Sequence, residues 1–345
     1  MLNLQSRKQA WLAIVAILFA FIAVLWDADR LDKWPVRNVA YNDIALYRDV
    51  AAQIGTGAGY YETTTRLQRS HHYPTRPFFT VRHPTLAYLA ATFGWARLQQ
   101  ALLALMAMAA AAWLVRIEHA TVLERAAAIL ALVAGSAAIF SPLLVAVHEV
   151  WAGLLICLAL VLRNGKAWWL GLVAVAAAIA FRELAICYGA LSLIVSVAER
   201  RRAESLAWLG ILALGAAGMA LHASLVHAAT LPGDPVSQGW LGLRGPGAAF
   251  YDLAGVSVLA LLPTRAAMGL ALLALVGWNA APVEQRTITL LFLGGFIALI
   301  GVFARPQNFY WVLMTLPTWL IGLAFVPRAL RDLCAAALAP RPSPL

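Results

Sequence analysis

The chain has 345 residues, 62% hydrophobic and 12% charged, with a formal net charge of +10 and a mean hydropathy of +0.77. A globular domain averages about 25% charged residues, so this composition excludes an ordinary soluble enzyme and points to lipid as the solvent. Continuous apolar runs exclude a membrane barrel, whose strands alternate; the positive charge gathers at segment ends and not on a basic stripe, which excludes nucleic acid as a partner.

The first apolar segment, Trp11 to Trp26, follows Arg7 and Lys8 and continues into "LWDADRLDKW" with no small-residue cleavage site. It predicts an uncleaved signal anchor with a cytoplasmic N-terminus. Residues 27–83 form the one long polar segment and are predicted to lie outside the cytoplasm. Within it, "YNDIALYRDVAAQIGTGAGYY" reads as an amphipathic helix with Ile44, Tyr47, Ala51 and Ile54 on one face. Asn42 or Asp43 would cap it, and "GTGAG" would end it. Asp43 thus has two readings, a cap or a catalytic carboxylate, and a helix N-terminus favours its ionised form. Asp49 reads as a solvated partner of Arg48 or Arg66. Residues 66–83 carry Arg66, Arg69, His71, His72, Arg76, Arg82 and His83. That density suits a lipid phosphate or anionic headgroups, and equally a solvated loop. Arg82 and His83 lie nearest the apolar stretch 84–94, which predicts a half-helix at the surface.

Spanning segments are predicted near 97–115, 125–143, 149–163, 167–181, 184–198, 205–228, 262–279, 287–304 and 309–326; the anchor brings the total to about ten. The fold class expected is all-α, a polytopic transmembrane helical bundle with an amphipathic juxtamembrane helix in a long first outer loop. Its parts are the anchor at 1–26, a periplasmic loop at 27–96, a transmembrane module at 97–228, and a second at 229–345 with a short cytoplasmic tail. Arginine-rich ends such as "ERRRAE" at 199–204 are predicted inside.

No acidic residue falls at the centre of a long segment, which counts against an ion-coupled transporter. His148 and Glu149 open a segment at its outer end and read as a capping pair, a metal site or a contact to an acceptor sugar. No HExxH and no cysteine–histidine cluster occurs, so no metal or other cofactor is indicated, though a divalent ion is compatible. Cys157, Cys187 and Cys334 lie in or beside apolar segments and imply no disulfide framework. "LGLRGPG" at 241–247 follows no strand and reads as an outer turn whose Arg244 could reach a site there.

The order of these features has a counterpart. An outer loop reading "ND…Y…A…G…YY" is followed by "YPTRPFFTVRHPTLAYL", then by "HE" opening a span, then by "FRELA" breaking a helical hairpin. This order, over residues 10–200, resembles the C-type membrane glycosyltransferases. The resemblance implies transfer of a sugar from a polyprenyl-phosphate donor to a lipid or glycan acceptor on the outer face of a bacterial inner membrane. It also implies an acid shortly after the first span as the base, and Asp43 is the matching position. Many members carry paired acids where this chain has Asn42-Asp43.

A phosphate leaves in such a transfer, and arginine holds phosphate through a planar fork. Arg182 in "FRE" is the first candidate, with an ion pair to Glu183 as its alternative. Arg305 in "FARPQNFYW" is the second, with Asn308, Tyr310 and Trp311 offering hydrogen bonds and aromatic surface; an interfacial aromatic belt is the alternative there. Two other function classes compete: a flippase or transporter of a lipid-linked or amphipathic substrate, and a non-catalytic membrane subunit. A continuous polar path through the spans would favour transport.

Overall fold

The computed structural model describes residues 7–32 and 42–339; the side chains of Asp29 and Asp32, and residues 33–41 of the outer loop, lie outside the described residues. In chain order the α-helices are α1 (Arg7–Asp32), α2 (Asp43–Gly55), α3 (Tyr60–Ser70), α4 (Thr85–Phe93), α5 (Trp95–Arg116), α6 (Val122–Gly135), α7 (His148–Leu162) and α8 (Trp168–Phe181). They continue with α9 (Ile186–Ala198), α10 (Arg202–Ala229), α11 (Gly247–Val256), α12 (Thr264–Trp278), α13 (Arg286–Phe303), α14 (Leu316–Ile321) and α15 (Val326–Leu338). No strand occurs among the described residues, where one isolated bridge pairs Arg76 with Val236.

Among the described residues, four helices are long and apolar enough to cross a membrane: Arg7–Ala28 within α1, α5, α10 and α13. A fifth crossing is available if the pair Pro306–Met314 and Leu316–Leu338, bent by 62°, counts as one. The other expected segments are shorter. At 15 residues α7 reaches only about 22 Å, against about 30 Å of bilayer core. The segment expected at 125–143 ends as α-helix at Gly135 and continues as 3₁₀ turns. The one expected at 309–326 is split into a 3₁₀ run from Pro306 and the six-residue α14, with Pro306 and Pro317 at the two starts. Proline lacks the amide that a continuous helix needs.

The chain forms two compact units. One comprises the described residues of Met1–Val36, Ala110–Ala137 and Leu241–Leu345. Here α1 packs on α11, α12 and α15, and α6 on α14. Trp113, Trp278 and Trp319 are fully buried. Two of their indoles find backbone carbonyls, Trp278 at Thr318 (3.1 Å) and Trp319 at Ala271 (2.8 Å), as apolar surroundings require of a polar N–H. Thr121 and Glu124 form a capping box at the start of α6, and Glu124 also accepts from Arg328 at 2.7 Å, tying α15 to α6. The outward face of α1 leaves Phe19, Ile22 and Trp26 exposed, as a lipid-facing helix does.

The other unit comprises the described residues of Arg37–Ala109 and Ala138–Trp240. In it α7 packs along α8 and α9 along α10, while α2 lies on α3 and α4. Leu46, Val50 and Ile54 of α2 meet Tyr60, Leu67, Val81, Ala87 and Val226 in one core cluster. The buried residues of α2 are Leu46, Val50, Ala51 and Ile54, so Ala51 and Ile54 of the expected face are buried while Leu46 and Val50 go deeper than Ile44 and Tyr47. The i, i+4, i+8 row faces α3 and α4, and Tyr47 is left at the edge of the cluster, where its hydroxyl meets Arg82. The loop after α10 is fastened by buried Asp234, which accepts from Arg69, from Thr75 Oγ1 (3.0 Å) and from the Leu231 amide (3.0 Å). The Arg69 hydrogen bond, with help from that amide and hydroxyl, holds the Asp234 carboxyl down at about 2.

Gly277 of α12 is where two backbones meet most closely in the first unit. A Cβ there would run into the Gly322 carbonyl and lie 3.0 Å from the Val326 amide nitrogen. Neither atom belongs to a side chain that could swing away. Gly277→Ala should therefore cost about 2 kcal/mol, seen as a lower unfolding temperature in detergent. Gly294→Ala in α13, where a Cβ meets nothing within 4 Å, should be neutral or slightly stabilising.

Candidate active site

The second unit brings together most of the residues singled out from the sequence. Three chain breaks build the site. The first is the start of α2. Asn42, in extended conformation, is its N-cap and accepts from the Ala45 amide at 3.1 Å. Asp43 is thereby released from the capping role and stands in the first turn, partly buried. The second is the break between α8 and α9. Arg182 is extended (φ −147°, ψ 115°), and Glu183 opens a three-residue 3₁₀ turn. The third is the start of α7, where His148 and Glu149 occupy the first turn, both buried.

The charged groups of these three places meet. Arg182 is 1% exposed, and its Nε lies 2.5 Å from Glu149 Oε1. The same guanidinium pairs with Glu183. Arg82 approaches Glu183 at 3.9 Å and donates from Nε to the Tyr47 hydroxyl at 3.1 Å. The Arg82 carbonyl in turn accepts from Tyr60 at 2.6 Å. Arg182 thus has both the expected Glu183 and a second carboxylate from α7. Glu149 is engaged with Arg182, which is neither the metal role nor the simple cap suggested by "HE".

Burial pushes the Asp43 carboxyl above the ordinary aspartate value, and the nearby Glu149 charge adds to this. Arg82, a hydrogen bond from Tyr73 and Arg182 act in the opposite direction without cancelling it. The expectation that the helix N-terminus would favour the ionised form is corrected accordingly: removal from water outweighs the helix dipole here. His83 departs from expectation in the same way. Burial lowers it to about 4, reinforced by the neighbouring His222 ring at 4.8 Å, so it is a neutral imidazole at physiological pH and no partner for an anion by charge. Its Nε2 lies 3.1 Å from Met219 Sδ. His222 faces the Val81 carbonyl through Nε2 (3.0 Å) and the Tyr61 hydroxyl through Nδ1 (3.2 Å). The carbonyl can only accept, so the proton belongs on Nε2.

A cavity of about 20 Å³ lies beside Arg82, lined among others by Tyr47, Tyr60, Gln68, Trp95 and His148. That is room for about one water-sized group. Gln68 Oε1 and His148 Nδ1 are buried there with no hydrogen-bond partner among the described residues. The His148 ring stands edge-on to Tyr47, with centroids 4.7 Å apart. Asp49 lies on the exposed side of α2. Beside it Arg48 reaches the Pro142 carbonyl and the Trp95 ring, and Arg66 reaches Gln53.

The remaining candidates belong to the other unit. Arg244 is buried in a bidentate pair with Asp252, at 2.8 and 2.6 Å, and its carbonyl accepts from Arg30. This corrects its reading as a ligand-reaching turn residue, because a buried guanidinium held at both prongs is a structural tie. Arg305 precedes the 3₁₀ run, and its amide donates to Asn308 Oδ1 at 3.2 Å, so Asn308 is buried as a cap. Tyr310 stacks edge-on with Phe309, and Trp311 is buried. Among the described residues, no group of three or more His, Cys, Asp or Glu side chains is arranged to hold a metal ion. No family model, curated protein or solved structure matches the chain.

Tyr47, Tyr73, Gln68 and His222 join the site without having been singled out as candidates. Tyr47 was legible only as part of an apolar face, and His222 lies 141 residues from the carbonyl it meets.

The buried pair makes a stability prediction. Arg182→Ala leaves Glu149 enclosed without its cation and should cost about 3 kcal/mol. Arg182→Ala combined with Glu149→Ala should recover part of that loss in thermal unfolding. If the double variant loses the sum of the two single losses, the pair is not what joins α7 to the α8–α9 break.

Proposed function

We propose that this chain is a polytopic membrane glycosyltransferase. It transfers a sugar from a polyprenyl-phosphate donor to a lipid or glycan acceptor on the outer face of a bacterial inner membrane. The observation that carries the reading is the meeting of Asp43, Arg82, Glu149, Arg182 and Glu183 in one unit of a predominantly apolar chain. In the proposed reaction Asp43 accepts the proton of the acceptor hydroxyl as its oxygen bonds to the anomeric carbon. The bond from that carbon to the phosphate oxygen breaks, and its electron pair leaves with the polyprenyl phosphate. Arg82 and Arg182 offset the charge that develops there.

The shorter apolar helices α6, α7, α8, α9 and α12 complete about ten membrane segments in this reading. In it, α2 is a juxtamembrane helix outside, and the N-terminus is cytoplasmic. A base whose carboxyl lies above the ordinary aspartate range suits the role, since proton transfer is most efficient when the base's pKa nears the working pH.

Asp43→Asn separates catalysis from structure, because Asn42 and not Asp43 caps α2. Transfer from a radiolabelled polyprenyl-phosphate sugar should fall about 100-fold or more. A carboxyl raised in the folded state favours folding while protonated and opposes it once ionised. The variant should therefore unfold no earlier than wild type at neutral pH. Any gain should disappear as the pH falls below the unfolded carboxyl's value. Full transfer by Asp43→Asn would remove Asp43 as the base.

Orientation is tested separately. Ser70 and Ala203 are both exposed. A thiol introduced at Ser70 should react with an impermeant reagent added outside intact cells, and one at Ala203 only after the membrane is opened. The reverse pattern would put Asp43 on the wrong face.

A further inference from the structure

Counting carboxylates and guanidiniums, the site holds three of the former, Asp43, Glu149 and Glu183, against two of the latter, Arg82 and Arg182. Neutral His83 adds nothing to the cationic side. An arriving phosphate would therefore enter a cluster whose cations are already balanced and whose formal sum is negative. Both arginines already face carboxylates, so an anion can bind only where one carboxylate yields.

The three are not equally able to do so. Glu149 has a side chain 2% exposed, is seated in the first turn of α7 and lies 2.5 Å from Arg182. Asp43 is fixed in the first turn of α2. Glu183 is paired with Arg182 as Glu149 is, but it is less enclosed than Glu149. Its side chain is 17% exposed, and it sits in a 3₁₀ turn of three residues at a helix break. Its contact with Arg82 is 3.9 Å, an ion pair too long for a hydrogen bond. It contacts both guanidiniums, the position a bridging phosphate oxygen would take.

We propose that the Glu183 carboxylate holds the place of a ligand phosphate between Arg82 and Arg182 and gives way to it on binding. The proposal rests on the reading of this site as one for a polyprenyl-phosphate ligand. Removing the charge of Glu183 then tightens phosphate binding, the opposite of what a ligand-contacting residue would do. Arg182 keeps Glu149 as its partner when Glu183 is neutralised, so the buried pair survives the change.

The test uses the full chain in detergent, with farnesyl phosphate as the probe and farnesol as its uncharged control. Glu183→Gln should bind farnesyl phosphate about tenfold tighter than wild type, the scale of one charge-assisted hydrogen bond no longer contested, and farnesol no differently. Glu183→Asp, whose shorter arm draws the carboxylate back, should fall between the two. Arg82→Gln should weaken binding in either background. Equal or weaker binding of farnesyl phosphate by Glu183→Gln overturns the proposal. Should that variant fail to fold, equal or weaker binding by Glu183→Asp does the same. Tighter phosphate binding by a chain that transfers no sugar would uphold the placeholder and reject the transferase. Sugar transfer without any tightening would do the reverse.

Discussion

A guanidinium enclosed at a helix break in an apolar chain cannot stand alone, and the pairing of Arg182 with Glu149 and Glu183 is the interaction on which the site unit depends. Removing both ions from water costs several kcal/mol each, so the pair persists only where geometry and further contacts compensate. That requirement has consequences for neighbouring elements. It sets the first turn of α7 against the break between α8 and α9. Glu183 then turns to Arg82, Arg82 turns to Tyr47, and Tyr47 belongs to the helix whose first residue is Asp43. Four segments distant in sequence are ordered by one chain of polar contacts, while the apolar cluster of Leu46, Val50 and Tyr60 supplies the packing beneath it.

The helices were legible because their signals are local. Apolar runs, the Arg7-Lys8 start, the stop at "GTGAG" and the short stretch 84–94 appear as α1, the end of α2 and α4, with boundaries moved by a few residues. Crossing length was less legible. Hydropathy counts apolar residues whether they extend one helix or fold into 3₁₀ turns, so the segment from 309 looked continuous although its 3₁₀ run ends at Met314 and α14 starts anew at Leu316, beside Pro317. The face of α2 was legible only in part, at Ala51 and Ile54, because Ile44, Leu46, Tyr47, Val50 and Ile54 offer two adjacent apolar rows. Only the neighbours α3 and α4 choose between them.

In the site, residue types were legible and partnerships were not. Glu149, Arg182 and Glu183 stood out as charges beside apolar runs, Asp43 by its place at a helix start and Arg82 by its place next to the apolar stretch 84–94. The Glu149–Arg182 pair spans 33 residues, however, and the Tyr47–Arg82 contact 35. No spacing rule reaches that far, since helical neighbours are only three or four apart. Arg244 shows the opposite error. Its partner Asp252 is eight residues away, but the glycines around it suggested an open turn when the side chain is buried.

Asp43 shows how the two scales combine. Its sequence position predicts an ionised carboxylate, because a helix N-terminus attracts negative charge. The dipole of one short helix contributes about 0.3–1 kcal/mol at an exposed end, and burial can exceed that several-fold. The capping residue decides which effect the carboxylate feels. With Asn42 taking the Ala45 amide, Asp43 loses the strongest local reason to stay ionised and keeps the cost of its surroundings. Arg82 and Arg182 would lower it further were they not already shared with Glu149 and Glu183. The excess of carboxylates over guanidiniums therefore has two effects with one cause: it leaves Asp43 able to take up a proton, and it makes the site's affinity for an anion depend on which carboxylate moves.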